Sequence, residues 1–211
     1  KKFGIKSPQN ILEIGCGTGN HPRFLSKSGI SLVAIDIDRQ MVKIAQKKLS
    51  NLSNVKVIHT SVERLEAKGF DLVIAMFNIV TYLDDTNQLM QFMKGVARHL
   101  NNGGAFIFDC WNGVAAIKDP PKKLKKITLQ QDGSFLKCNL ISQTDFFNQK
   151  TKLNYDIRVK NGGRVEHGIS SFDQTLWTPM QIKHAIFEAG LELVLCSPLM
   201  QPEKKASRKD W

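Results

Sequence analysis

The residues with the clearest chemical capacity lie between positions 11 and 38. Ile11-Leu12-Glu13-Ile14-Gly15-Cys16-Gly17-Thr18-Gly19-Asn20-His21 stands where a short apolar run hands over to a helical segment. Glycines there let the backbone turn tightly and approach a ligand that a Cβ would hold away, although the spacing alone also suits a turn with no ligand. Two acids narrow the choice. An anion site presents amides and a helix N-terminus, whereas Glu13, read as lying at the lip of the loop, repels a pyrophosphate and attracts a cation. Asp36 follows Gly19 by 17 residues and ends the second apolar run. It is placed to accept hydrogen bonds from two ribose hydroxyls, a charge-assisted contact. Its alternative use, capping the next helix, is better met by Asp38. The pattern describes a cationic, phosphate-free ligand carrying a ribose, and it disfavours a dinucleotide-dependent oxidoreductase.

These residues need a scaffold that holds strand ends together. Five apolar runs, Ile11 to Ile14, Leu32 to Ile35, Val55 to Ile58, Leu72 to Met76 and Ala105 to Phe108, alternate with helical segments. That alternation predicts an α/β fold, a Rossmann-like doubly wound parallel sheet covered on both faces. After Thr86, the residues Leu89, Phe92, Met93, Val96, Ala97 and Leu100 keep a helical stripe, which Asn101-Asn102-Gly103-Gly104 stops. Met41, Ile44, Ala45 and Leu49 form a second stripe behind Asp38. From Ile127 to about Phe172 the composition turns β-rich, with hairpin signals at Asp132-Gly133, Asn148-Gln149 and Asn161-Gly162-Gly163. This predicts an inserted antiparallel β-meander over 119–172, walling the site or pairing two subunits, with the sheet domain formed by 1–118 and 173–211. Thr178-Pro179 opens a last helix, Gly190 ends it, and Leu191 to Cys196 reads as one more strand.

At 211 residues with 42% hydrophobic composition, the chain can bury one sizeable core. No apolar run reaches the roughly 18 to 20 residues of a membrane span and no signal segment opens the sequence, which points to a cytoplasmic protein. Cys16, Cys110, Cys138 and Cys196 are scattered without a Cys-x-x-Cys pair, so no metal site is expected. The formal charge of +11 makes an anionic partner thinkable. The densest basic stretch, Lys118 to Lys126, contains Pro120 and Pro121 but no aromatic ring, as a solvated loop would.

The sequence resembles the class I methyltransferases, and within them the small-molecule N-methyltransferases that act on amino groups such as those of amino sugars. The resemblance rests on Glu13-Ile-Gly-Cys-Gly-Thr-Gly-Asn-His21, Met76-Phe-Asn-Ile-Val-Thr-Tyr-Leu83, Gly103-Gly104, and the segment from Thr178-Pro179 to Ala189-Gly190-Leu191. The implied cofactor is S-adenosylmethionine, which carries an ammonium and a sulfonium and no phosphate. By the resemblance, Gly15, Gly17 and Gly19 cradle its methionine portion, with Glu13, Cys16, Thr18 and His21 in the same loop. Asp36 takes the ribose, and Ile37 and Met41 the adenine face. Val62 offers its backbone amide to the adenine ring. Met76 and Phe77 hold the amino-acid end. Ser61 departs from the pattern, standing where the family usually has an aspartate on the adenine amino group, so the charge assistance is gone. The resemblance also implies helices ahead of the first strand and a final antiparallel strand after Trp211.

For the methyl acceptor, the ends of the fourth and fifth strands and the meander supply candidates: Tyr82, Asp109, Trp111 and His167. Each has a bland alternative: ring packing for Tyr82 and Trp111, a turn cap for Asp109 and a polar strand position for His167. Met76-Phe77-Asn78 lacks the Asn-Pro-Pro-Tyr-like loop of base-amino DNA methyltransferases, and no Pro-Cys nucleophile follows it. A small-molecule acceptor, at an amine nitrogen, is therefore expected ahead of a nucleic acid. The alternatives are an RNA methyltransferase and a cofactor-binding module without catalysis that uses its basic surface.

Overall fold

Five parallel strands, β1 (Asn10–Ile14), β2 (Ser31–Asp36), β3 (Val55–His59), β4 (Phe70–Ala75) and β5 (Leu100–Phe108), form one sheet in the order β3-β2-β1-β4-β5. The computed structural model describes residues 8–26, 30–121, 124–131 and 134–207. β1 is central and buried from Ile11 to Ile14, which is why its sequence is apolar on both faces apart from Glu13. The chain steps outward from β1 to β3 and then returns to β4 on the other side. The carboxyl ends of β1 and β4 therefore flank the crevice where the strand order reverses, the usual ligand position in such sheets.

Among the described residues, five α-helices accompany the strands: α1 (Asn20–Leu25), α2 (Arg39–Leu49), α3 (Thr86–His99), α4 (Gly113–Lys118) and α5 (Pro179–Glu188). Their starts follow from local chemistry. The Asp38 carboxylate accepts from the amides of Gln40 and Met41 at 2.7 and 3.1 Å, and Thr178 with Gln181 closes a capping box ahead of Pro179. Leu89, Phe92, Met93 and Val96 of α3 join Leu12, Val73 and Ala75 of the sheet and Ile182 and Ile186 of α5 in the main core. Among the described residues no helix is long and apolar enough to cross a membrane.

A separate antiparallel sheet follows, in the sequential order β6 (Leu124–Gln131), β7 (Ser134–Asp145), β8 (Lys150–Asn161), β9 (Arg164–Thr175). Gly162 and Gly163 both take positive φ, 56° and 87°, as a two-residue hairpin between Asn161 and Arg164 requires. Asn148-Gln149 lies in the β7–β8 turn, with Gln149 at φ 53°. Asp132-Gly133 lies outside the described residues. The sheet is tied to the parallel domain at one end: Thr175 Oγ1 donates to the Leu83 carbonyl at 2.7 Å, and Lys150 Nζ to that of Asp84 at 2.7 Å.

Two expectations change. Leu191 to Cys196 is not a strand: the segment leaves α5 without a ladder partner and exposes Val194. Alternating apolar residues make a strand only where a neighbouring edge accepts their amides and carbonyls. The fifth strand begins earlier than Ala105, because Asn101 to Gly104 runs along β4 as an irregular stretch of β5, with the register shifting between Phe70 and Leu72. A Cβ at Gly104 would lie 2.9 Å from the Asn101 carbonyl oxygen and 3.1 Å from that of Phe70, which explains the glycine.

Candidate cofactor and acceptor site

The glycine loop leaves β1 with φ of 75°, 52° and 77° at Gly15, Gly17 and Gly19, a conformation that side chains rarely adopt. The three glycines serve different neighbours. A Cβ at Gly15 would strike the Ile79 side chain at 2.2 Å, and one at Gly19 would press on Ala45 and Leu49 of α2 at 3.0 to 3.2 Å. A Cβ at Gly17 would meet nothing within 4 Å. Gly15 and Gly19 thus close the loop onto the protein, while Gly17 faces open space.

Most loop amides are already used. Gly15 and Cys16 donate to the Ile35 carbonyl at 2.8 and 3.0 Å, Gly19 donates to that of Cys16 at 3.0 Å, and Gly17 donates to Asp36 Oδ2 at 2.8 Å. A pyrophosphate would find few donors here, which separates this loop from a dinucleotide cradle in a way the acid count alone does not. The Cys16 side chain turns inward beside Ala34, Ala45 and Leu49, and burial pushes its thiol up to about 12, so only its backbone belongs to the loop surface. Thr18 and Asn20 are held by Lys48 Nζ, at 3.4 and 2.7 Å.

Glu13 is not at an exposed lip. It is 3% exposed beneath the loop, with Oε1 2.9 Å from His21 Nδ1 and Oε2 buried without a hydrogen-bond partner. Burial pushes its carboxyl up to about 7, against the opposing pull of His21. A buried acceptor without a donor is costly unless a ligand supplies one, and an ammonium is the donor that also favours its ionised form. Asp36 uses one lone pair on each oxygen, for the amides of Gly17 and Asp38 at 2.8 Å each. Each carboxylate oxygen keeps a second acceptor position, enough for two ribose hydroxyls. Ile37, 76% exposed, and Met41 present apolar surface beside it. The loop after β3 comes to the same place, since the Thr60 amide donates to the Asp36 carbonyl at 3.1 Å. Ser61 and Val62 follow directly. An ammonium, a ribose and a flat apolar base therefore each meet a matching group, and the residues present fit S-adenosylmethionine.

Across the crevice, the chain leaving β4 passes Met76 into left-handed backbone at Phe77 and Asn78, φ 66° and 62°. Two consecutive non-glycine residues in that region store strain and need outside support. Asp109 Oδ1 provides it by accepting from the Asn78 amide at 3.2 Å, while the Thr81 hydroxyl donates to the Asn78 carbonyl at 2.7 Å. Asp109 thus holds this loop, its bland alternative realised. Phe77 meets His21 edge to face at 6.2 Å between centroids, so the loops after β1 and β4 touch.

Tyr82, 46% exposed at the end of a 3-10 turn over Ile79–Tyr82, lies edge to face with Phe172 of β9 at 6.2 Å, and Phe172 with Tyr155 of β8 at 5.9 Å. Burial and then Tyr82 raise the Tyr155 phenol, keeping it neutral. His167 is not part of this group. β8 and β9 pair in continuous register, and His167 is five residues from Phe172, so its side chain points from the other face of the sheet. There it lies 2.7 Å from Asp156, which its contact holds below the usual carboxylate range. Trp111 is half-buried beside α4, in a segment pinned by the Gly113 amide donating to the Trp177 carbonyl at 2.9 Å. Sequence reasoning missed Tyr155, Phe172 and Trp177, whose Nε1 donates to the Val80 carbonyl at 2.9 Å within the core. Only their aromatic type was visible beforehand.

Residues 11–104 match the family model described as a methyltransferase domain. The cypemycin N-terminal methyltransferase of a Streptomyces species is 32% identical over 110 residues, 48% of this chain and 42% of that one. The dTDP-3-amino-3,4,6-trideoxy-alpha-D-glucopyranose N,N-dimethyltransferase of Streptomyces venezuelae is 28% identical over 104 residues, 48% of this chain and 42% of that one. The chain thus spans less than half the length of these curated relatives. The fold is similar to the crystal structure of an S-adenosylmethionine-dependent methyltransferase from Clostridium acetobutylicum, with a TM-score of 0.81 at 19% identity, covering 95% of this chain and 80% of that one.

Proposed function

We propose that the chain is a class I S-adenosylmethionine-dependent methyltransferase that methylates a small molecule at an amine nitrogen: residues 11–104 match a methyltransferase domain, and the fold is similar to that of an S-adenosylmethionine-dependent methyltransferase. The observation that carries the cofactor part of the reading is Glu13 Oε2, a buried acceptor without a partner beneath a glycine loop that is open at Gly17. When bound, S-adenosylmethionine supplies an activated methyl group and its own leaving group. The protein's task is then alignment, which can account for much of the rate.

Glu13 receives the ammonium, Asp36 the ribose hydroxyls, Ile37 and Met41 the adenine face, and the Val62 amide the ring edge. The strained Met76–Asn78 backbone, fixed by Asp109, sets the methionine end against His21 and Phe77. Tyr82, Phe172 and Tyr155 wall the acceptor side, offering ring faces that suit a nitrogen gaining positive charge as it is methylated. The sheet β6–β9 is thus a wall of the site, and its largely exposed outer strand β9 is an edge on which a second copy can pair. The four free thiols suit a reducing cytoplasm.

Incubation of the protein with methyl-labelled cofactor and separate panels of amino sugars, amino acids, peptides and RNA tests this. Label is expected on a small amine. Label on RNA alone, with none on any amine, overturns the acceptor class. Failure to bind S-adenosylhomocysteine overturns the cofactor reading itself.

A further inference from the structure

A buried histidine lies outside everything assigned above. His99, the last residue of α3, is 0% exposed and packs edge to face against Phe70. Its two ring nitrogens lie against two backbone carbonyls, Nε2 2.8 Å from Val62 and Nδ1 2.6 Å from Ala67. The neighbouring Arg98 reaches the same segment, its Nη2 donating to the Glu63 carbonyl at 2.7 Å and, at 3.4 Å, to that of Val62. The end of α3 therefore grips the turn after β3 from beneath, at residues 62, 63 and 67.

The turn it grips has a defined free side. The Ser61 carbonyl accepts from the amides of Arg64 and Leu65 at 3.2 and 3.1 Å. In a trans peptide the carbonyl and the following N–H point in opposite directions, so the Val62 N–H is aimed away from the turn. The side chain of Val62 is buried and rests against α3 at Gly95, where an added Cβ would come within 3.3 Å of it. Carbonyl and side chain of Val62 are thus both held by α3. The Ser61 carbonyl bonds set the tilt of the peptide that carries this amide, and the contacts of Val62 with His99, Arg98 and Gly95 set where that peptide sits.

We propose that His99, seconded by Arg98, is a positioning residue for recognition of the cofactor's base: by fixing Val62 it sets the amide that tells adenine from other purines. This rests on the methyltransferase reading above. Adenine presents a ring-nitrogen acceptor beside an exocyclic amino donor, whereas hypoxanthine reverses both, placing an N–H where the acceptor was. A fixed N–H at Val62 accepts the first and opposes the second. A hydroxyl at Ser61 can donate or accept, so it tolerates either base. Discrimination consequently falls on the Val62 amide, and through it on the end of α3. His99 carries the greater share, because its contact with Val62 is shorter and buried.

The test compares the affinities of the full chain for S-adenosylhomocysteine and S-inosylhomocysteine by calorimetric titration, in the wild type, His99→Asn, His99→Gln and Arg98→Met. Asparagine can occupy the Nδ1 position toward Ala67 but does not reach Val62, whereas glutamine reaches as far as Nε2. His99→Asn is expected to lower the adenosyl-to-inosyl preference at least fivefold, Arg98→Met about twofold, and His99→Gln to restore most of it. A merely structural role would weaken both ligands equally and leave the ratio unchanged, and that result overturns the proposal. Should His99→Asn fail to fold, the ratio in Arg98→Met decides: unchanged, it overturns the proposal. If the wild type binds neither ligand, the methyltransferase reading falls first, whereas intact wild-type binding with unaltered ratios in the variants removes only the role of His99.

Discussion

Two buried side-chain oxygens among the described residues have no hydrogen-bond partner, and they lie in different halves of the molecule: Glu13 Oε2 under the glycine loop and Gln174 Oε1 near the foot of the meander. The first is a carboxylate oxygen in a nest of fixed backbone, with its partner oxygen on His21 and the loop amides spent inside the protein. The second is a neutral carbonyl, four residues along β9 from Ser170 and on the same face as Phe172, in an antiparallel sheet that side chains tie to the rest of the protein at one end. On the proposed function, the difference separates two tasks. A rigid, charged cradle suits one cationic ligand, and a face of rings and neutral acceptors suits an acceptor whose shape it need only wall.

Changes in the two halves should therefore separate cleanly. The largest effect is expected at Gly15→Ala, where positive φ and the collision with Ile79 combine. It should cost about 2–3 kcal/mol of stability in thermal unfolding and, by disturbing the loop, more than about tenfold in S-adenosylhomocysteine affinity. Gly17→Ala sharpens the contrast within the loop. With open space at its Cβ, it should lose only about 1–2 kcal/mol of stability, from backbone strain, yet weaken the ligand as much as Gly15→Ala does.

Glu13→Gln comes next, and its two consequences have opposite signs. Losing the ionised acceptor should weaken S-adenosylhomocysteine by about tenfold to a hundredfold, the range for a hydrogen bond to a charged group. The carboxyl of Glu13 is raised from an ordinary 4.5 to about 7 by burial. Between those values the folded protein holds a proton that the unfolded chain releases, so the wild type loses stability as pH rises from about 4.5 to about 7. Glu13→Gln should remove that slope and be the more stable protein at pH 8, by about 2–3 kcal/mol, in denaturant unfolding. Equal slopes in the two proteins between those pH values would show that Glu13 is ionised in the free protein.

In the acceptor half, Phe172→Ala should raise the acceptor KM by about tenfold, a ring contact's worth of binding, with S-adenosylhomocysteine affinity unchanged. An equal loss of cofactor affinity would mean that the two halves are not separable. The smallest effect is expected at His167→Ala, whose contact with Asp156 lies on the far face of the sheet. Its initial rate should stay within about twofold of wild type.

The cofactor half was legible in the sequence because its signals are local. Gly15, Gly17, Gly19 and Asp36 lie within 22 consecutive residues, and Asp38 is read as a cap from its immediate neighbours. Its depth was not legible: Glu13 could be placed next to the loop but not beneath it, since burial depends on strands paired on both sides of β1. The acceptor half rests on distant pairings, such as Trp177 to Val80 and Tyr82 to Phe172. No periodicity announces these. The face that His167 takes was not legible, because period two fixes faces only once register is known, and one residue of slip inverts them. Leu191 to Cys196 fails for a related reason, since its apolar residues have the composition of a strand without an edge to join.

The claim on which the rest depends is that Glu13 gives up its proton to receive an ammonium. Calorimetric titration of S-adenosylhomocysteine at pH 7, in two buffers of different ionisation heat, counts the protons released on binding. With a carboxyl at about 7, the wild type should release about half a proton and Glu13→Gln none. Equal proton release and equal affinity in the two proteins would contradict the account.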